Sequence, residues 1–367
     1  MAAALVAALG LGVAASRAED DAADVGELTK EADQVLRGGL KYLADPNQQG
    51  AEGDVRAGNT TGSLRLATTS LAGLAWLAGG STPTRGPYCD NIVRALEYVV
   101  TQWKAGGKVH FGNPGENEGG RMHAHGFAML FLAESYGMLG GEKNKGLADD
   151  VKEALKSAVK LSVASQTKQK GGWGYAFADD PSFGNEMDEA STTITQLQGL
   201  RAARNAGIVI PSKTIERAIK YVKKCVKPKG DCCYSLSMAE GDRTSFELTA
   251  AAVSTLNAAG TYKSGELDLA LGYMRRECAK KKFPTEACEQ YYFYGNLYAA
   301  QAMFQSGGPD WAGWWKGAQE DLVSKARRES ADGFRWDEPH NFGECYATAS
   351  ACLILALPLR YLPIFER

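Results

Sequence analysis

One pattern recurs along this chain: an amphipathic segment at helical spacing, a long glycine-rich loop, and a second helical segment that is apolar on nearly every side. The pairs are 25–43 with 64–77, 92–103 with 124–139, 151–164 with 190–206, 214–226 with 247–259, 267–278 with 294–304, and 314–326 with 346–357. The pitch is roughly 50 to 60 residues, the mark of a repeat architecture. A unit of this kind cannot bury its second helix alone, so neighbouring units must cover it. In an open solenoid one helix set faces solvent, and the second helices have too little polar surface for that. The expected fold is therefore all-α: a closed α/α toroid of six helix pairs, the apolar helices forming an inner ring and the amphipathic ones an outer ring.

The 367 residues then make one repetitive domain over 30–362 rather than two average ones. Apolar residues make up 44% of the chain and the net charge is −2, which gives no concentrated basic face for nucleic acid. The one compact basic run, Lys280 to Lys282, reads as a solvated loop. Residues 2–15 are almost all Ala, Leu, Val and Gly, and Ser16-Arg17-Ala18 supplies small residues for a signal peptidase. Residues 1–18 are thus expected to be a signal peptide and 19–29 a flexible leader, which makes the protein secreted or periplasmic. No membrane span is expected after the leader, since no later stretch reaches about 18 apolar residues without a charge. In an exported chain, Cys225 is close enough in sequence to Cys232 or Cys233, and Cys278 to Cys288, to staple loops, the alternative being buried thiols.

Ring closure gathers the amino ends of the inner helices at one mouth, where unpaired N–H groups favour acidic side chains or anions. The polar residues expected there are His123 and His125; Glu186, Asp188 and Glu189; Asp242 and Glu247; Tyr291, Tyr292 and Tyr294; and His340 and Glu344. Three carboxylates in the run Glu186 to Glu189 can keep one member protonated as a proton donor. Equally, Asp188 or Glu189 can simply cap the helix that follows. His123 and His125 would need acidic or thiolate partners to hold zinc, and no HExxH or CxxC pair supplies a metal site. Trp173, Tyr175 and Trp336 can line an aromatic mouth, or plug the gaps between helix pairs; the repeat-like positions of Trp173 and Trp336 favour the plug. Gly171-Gly172-Trp173-Gly174 follows no strand and is no phosphate or dinucleotide loop, so no cofactor is expected, and without a GxSxG elbow a Ser-His-Asp hydrolase is not expected either.

Gln166 with Gly171-Gly172-Trp173 resembles the Q-x(n)-G-x-W repeat of the squalene and hopene cyclases, and the run from Glu186 to Ser191 resembles their D-x-D-D-T-A motif. The resemblance implies an α/α toroid, a fold shared with protein prenyltransferase beta subunits. It implies Asp188 as the acid that protonates an isoprenoid double bond or epoxide, flanked by Glu186 and Glu189. Both flanking positions are glutamates here, and Tyr292-Phe293-Tyr294 stands where a prenyltransferase would carry Asp-x-Cys. An acid-initiated isoprenoid cyclase is thus the first functional expectation. The alternatives are a non-catalytic exported toroid that holds an apolar ligand, such as an isoprenoid, or a protein partner, and an α/α-barrel enzyme acting on glycans through paired carboxylates drawn from Asp188, Asp242 and Glu344.

Overall fold

The computed structural model describes residues 26–58, 61–112, 121–141, 144–178, 187–237 and 242–365. The residues expected to form a signal peptide, most of those expected to form a leader, and Glu186 lie outside them.

Twelve α-helices follow one another in the described residues. They are α1 (Lys30–Leu43), α2 (Gly62–Ala78), α3 (Cys89–Ala105), α4 (Arg121–Tyr136), α5 (Lys145–Ala164) and α6 (Ala190–Asn205). The series continues with α7 (Ser212–Cys225), α8 (Phe246–Ala258), α9 (Gly265–Ala279), α10 (Tyr292–Ser306), α11 (Gly308–Lys325) and α12 (Glu344–Ala356). The even-numbered helices form the inner ring: each packs on the next, and α12 packs on α2 to close the circle. The odd-numbered helices lie outside, each against at least one inner helix beside it. Two short hairpins interrupt the loops. In one, β1 (Cys232–Cys233) lies antiparallel to β2 (Thr244–Ser245), and in the other β3 (Arg327–Arg328) lies antiparallel to β4 (Phe334–Arg335).

The sequence repeat becomes a repeat of hydrogen bonds. The Gln166 amide donates to the carbonyl of Gly171 in its own loop (2.8 Å) and to that of Thr214 on the next outer helix, α7 (2.9 Å). In the first unit Gln49 does the same, to Gly53 (3.0 Å) and to Asn91 on α3 (2.9 Å). Gly53 and Gly171 both have positive φ, and a Cβ on either would meet the backbone of the next outer helix, at Arg94 or Arg217. Only glycine meets both demands.

A second bond anchors four of the loops to their inner helices. The backbone N–H groups of Val55, Trp173, Cys232 and Trp336 donate to the hydroxyls of Thr69, Thr193, Thr249 and Thr348, at 2.9, 2.9, 2.9 and 3.2 Å. Trp76, Trp173 and Trp336 are wholly buried, and their indole N–H groups donate to Leu40, Ser162 and Leu322 near the ends of α1, α5 and α11. Trp173 and Trp336 therefore plug the wall between the rings, as a buried indole with its one donor satisfied is suited to do.

Candidate functional site

Asp188 and Glu189 are adjacent, each 1% exposed, and face different surroundings. Glu189 is extended, with φ −150° and ψ 133°, and bridges to Trp173, so successive side chains point to opposite sides. Asp188 is held in the wall. Its Oδ1 accepts from the Tyr221 hydroxyl (2.6 Å), the Leu236 N–H (2.8 Å) and the Ser235 hydroxyl (3.1 Å), and its Oδ2 accepts from the Ser237 hydroxyl. Both oxygens are thus occupied by donors from α7 and from the 235–237 segment.

Glu189 caps α6. Its carboxylate accepts from the N–H groups of Ser191 (2.9 Å) and Thr192 (2.7 Å) and from their hydroxyls (2.6 and 2.9 Å). His123 Nε2 lies 3.6 Å from Glu189 and 2.9 Å from the Ser191 hydroxyl oxygen. Burial pushes the Glu189 pKa up, but His123, Ser191 and the Thr192 N–H outweigh it and hold the group below the usual carboxylate range. Its charge then acts on a set of tyrosines. Burial first, with the Glu189 charge adding to it, raises the pKa values of Tyr175, Tyr234, Tyr294 and Tyr298.

These tyrosines come from separate parts of the ring. Tyr175 and Tyr234 share a short hydroxyl–hydroxyl bond, and the Arg243 guanidinium lies 3.9 Å over the Tyr234 ring. Tyr294 and Tyr298 are one turn apart on α10, with ring centroids 4.9 Å apart. Because α8 stands between α6 and α10, Glu189 faces this pair across the barrel's interior. Deeper down, the Gln198 amide reaches Gln301 Oε1 at 2.7 Å, and the Ser254 hydroxyl reaches the same oxygen at 2.9 Å. That network joins α6, α8 and α10 about 12 Å below the start of α6, from eight residues at 1.5 Å each. Together these groups form a cup with an ionised carboxylate, hydroxyl-bearing rings and a polar floor.

Of the residues singled out from sequence, His123, Tyr175, Glu189 and Tyr294 meet here. His125 turns away: it is buried against Phe111 and Phe177, its Nε2 lies 3.0 Å from the Ala158 carbonyl on α5, and burial pushes its pKa down to about 4. Glu247 is buried, accepting from the N–H groups of Gln290 (3.0 Å) and Tyr291 (3.3 Å). Tyr292 donates to Asp321 at 2.7 Å, toward α11. The Asp242 side chain is 90% exposed and pairs with Lys227 at 2.6 Å. Glu344 pairs with Arg335 (2.9 Å) and accepts from the Tyr42 hydroxyl (3.2 Å), while the His340 ring packs tilted against Tyr291 with centroids 5.3 Å apart. Tyr234, Arg243, Ser191 and Tyr298 were not read from sequence as site residues. The spacing of Tyr294 and Tyr298, four apart on an inner helix, is the one signal that would have found a member of this group. Among the described residues, no three His, Cys, Asp or Glu side chains are grouped to hold a metal ion, and no helix is long and apolar enough to cross a membrane.

No family model matches the chain, and no curated protein matches it in sequence. Solved structures do match. The unsaturated glucuronyl hydrolase of Bacillus sp. GL1, responsible for the degradation of glycosaminoglycan, is 12% identical with a TM-score of 0.60, over 90% of this chain and 96% of that one. The α-1,6-mannanase of Salegentibacter sp. HEL1_6 is 12% identical with a TM-score of 0.57, over 90% and 99% of the two chains. The type II terpene cyclase MstE from Scytonema is 12% identical with a TM-score of 0.57, over 91% and 100%. What these likenesses share with the chain is its fold, the closed α/α toroid on which both glycan-active hydrolases and terpene cyclases are built.

Proposed function

We propose that this protein is an exported enzyme that cleaves glycans at the mouth of the toroid, with Glu189 as its working carboxylate. The observation that carries the reading is a buried Glu189 held ionised at a helix start inside a cup of tyrosine and serine hydroxyls. An ionised carboxylate serves as a general base toward water, or stabilises an oxocarbenium-like transition state. His123, next to both Glu189 and Ser191, is the group placed to carry the proton. The polar floor at Gln198, Ser254 and Gln301 also suits a hydroxylated substrate better than a long apolar one. Two of the folds it resembles belong to glycan-degrading enzymes.

Acid-initiated isoprenoid cyclisation from Asp188 is the second reading, favoured by the aromatic rings of the mouth, whose faces can stabilise a cation. Both carboxylates have their oxygens engaged by donors, but those of Asp188 come from Tyr221 and the 235–237 segment in the wall, whereas Glu189 lies beside His123. A panel test separates the two readings. The purified protein is incubated with α-mannans, uronate-containing oligosaccharides and other glycans, and with squalene and prenyl compounds, and products are followed by mass spectrometry. New reducing ends from a glycan support the proposal, and an isoprenoid product with intact glycans contradicts it. A bound but unaltered ligand would move the protein to the non-catalytic reading.

A further inference from the structure

Away from the mouth, three reactive side chains lie together: Cys225, Cys232 and Cys233, all buried, and all thiols in this structure. Cys225 is the last residue of α7. The chain then turns back so that Val226 bridges Cys232 in antiparallel register, and the Lys227 N–H donates to the Asp231 carbonyl at 2.8 Å. In that register the residue before Val226 stands opposite the residue after Cys232. Cys225 therefore faces Cys233 across the turn. Opposed residues of an antiparallel bridge hold their Cα atoms about 4.5–5.5 Å apart, within the roughly 4.4–6.8 Å that a disulfide spans. Cys232 and Cys233 both act on the Cys225 thiol, whose pKa is pushed well above the ordinary thiol value, first by Cys232.

We infer that Cys225 and Cys233 become a disulfide when the chain folds in an oxidising compartment. Both are fully buried once folding is complete, so the bond forms while the turn is still accessible. The oxidant is another disulfide, either small or carried by an oxidoreductase. One cysteine thiolate attacks it, making a mixed disulfide and expelling a thiolate; the second cysteine thiolate displaces the other half. The two cysteine thiols lose two protons and two electrons, and the oxidant's disulfide ends as two thiols.

The position of this bond gives it a consequence. Tyr221 lies one turn before Cys225 and Ser235 lies two residues after Cys233, and both donate to Asp188 Oδ1. The disulfide pins together the two walls that hold Asp188, whatever reaction the mouth performs.

The test uses the full chain, refolded from its reduced state either in a mixture of reduced and oxidised glutathione or in excess dithiothreitol. Free thiols are then alkylated in denaturant before trypsin digestion. Trypsin cuts after Lys224, Lys229 and Arg243, which places Cys225 on the 225–229 peptide and Cys233 on the 230–243 peptide. The expected result is a cross-linked pair of these peptides in wild type and in C232S, absent from C233S, with fragmentation of the wild-type pair locating the bond at Cys233. The oxidised protein should also melt several degrees above the reduced one. No cross-link in the glutathione sample, or one that fragmentation places at Cys232, overturns the inference.

Discussion

At the level of single residues, the two neighbours Asp188 and Glu189 decide the chemistry. The sequence presents three carboxylates within four residues and no way to orient them. The structure orients two of them through one extended residue, which sends Asp188 into the wall and Glu189 toward the mouth. Alternation by one position is a backbone property that a motif of residue types does not carry. The two histidines differ for a related reason: two positions along a helix is over half a turn, so His123 meets α6 and His125 meets α5. His125 yields a pH prediction. Its folded pKa of about 4 lies below its ordinary value of 6.5, so the unfolded chain takes up the proton first and stability falls as the pH drops from 6.5 toward 4. The non-titrating His125→Gln variant should lack this loss, and wild type should lose up to about 3 kcal/mol relative to it between pH 7 and pH 4 in urea unfolding. A difference that stays constant with pH would contradict the assignment. Glu189 acts with the same sign at lower pH: its pKa is depressed, so the stability it adds is present above the ordinary carboxylate value of 4.5 and is lost as the pH falls through its folded value.

At the level of elements, the helices were readable because each has a strong pattern of its own, and the twelve expected segments correspond to α1 to α12. The largest shifts are at α5 and α11, expected from residues 151 and 314 and starting at Lys145 and Gly308; the first helix, expected from residue 25, starts at Lys30, where the Thr29 hydroxyl accepts from the Ala32 N–H and sets the boundary. The role of the glutamine and glycine of the repeat was not readable, since both act on the backbone of the next unit. Gln166 links three segments through two buried carbonyls, on Gly171 and Thr214. Gln166→Ala should therefore destabilise the protein by about 2 kcal/mol, two lost buried hydrogen bonds at about 1 kcal/mol each. Urea unfolding checks this value, and a cost below about 0.5 kcal/mol would show that the glutamine does not tie the units together.

For the molecule as a whole, closure of the ring followed from the apolar second helices, which an open solenoid would leave exposed. The polar cup was harder to foresee. Its members are drawn from α4, α6, α10 and the loops bearing Tyr175 and Tyr234, and their convergence depends on the ring's diameter and on the Gln198–Gln301 contact. Residue types along the chain do not encode that depth. The fold also hosts more than one chemistry, so the reaction must be argued from the site itself. The most direct measurement is the turnover of Glu189→Gln and Asp188→Asn, side by side, on a substrate that the wild type converts. Glu189→Gln should lose about a hundredfold or more in kcat while circular dichroism shows the fold retained. Asp188→Asn should chiefly lower the melting temperature and keep most of kcat. The reverse order, with Asp188→Asn inactive and Glu189→Gln active, would contradict the assignment of Glu189 and return the chemistry to Asp188.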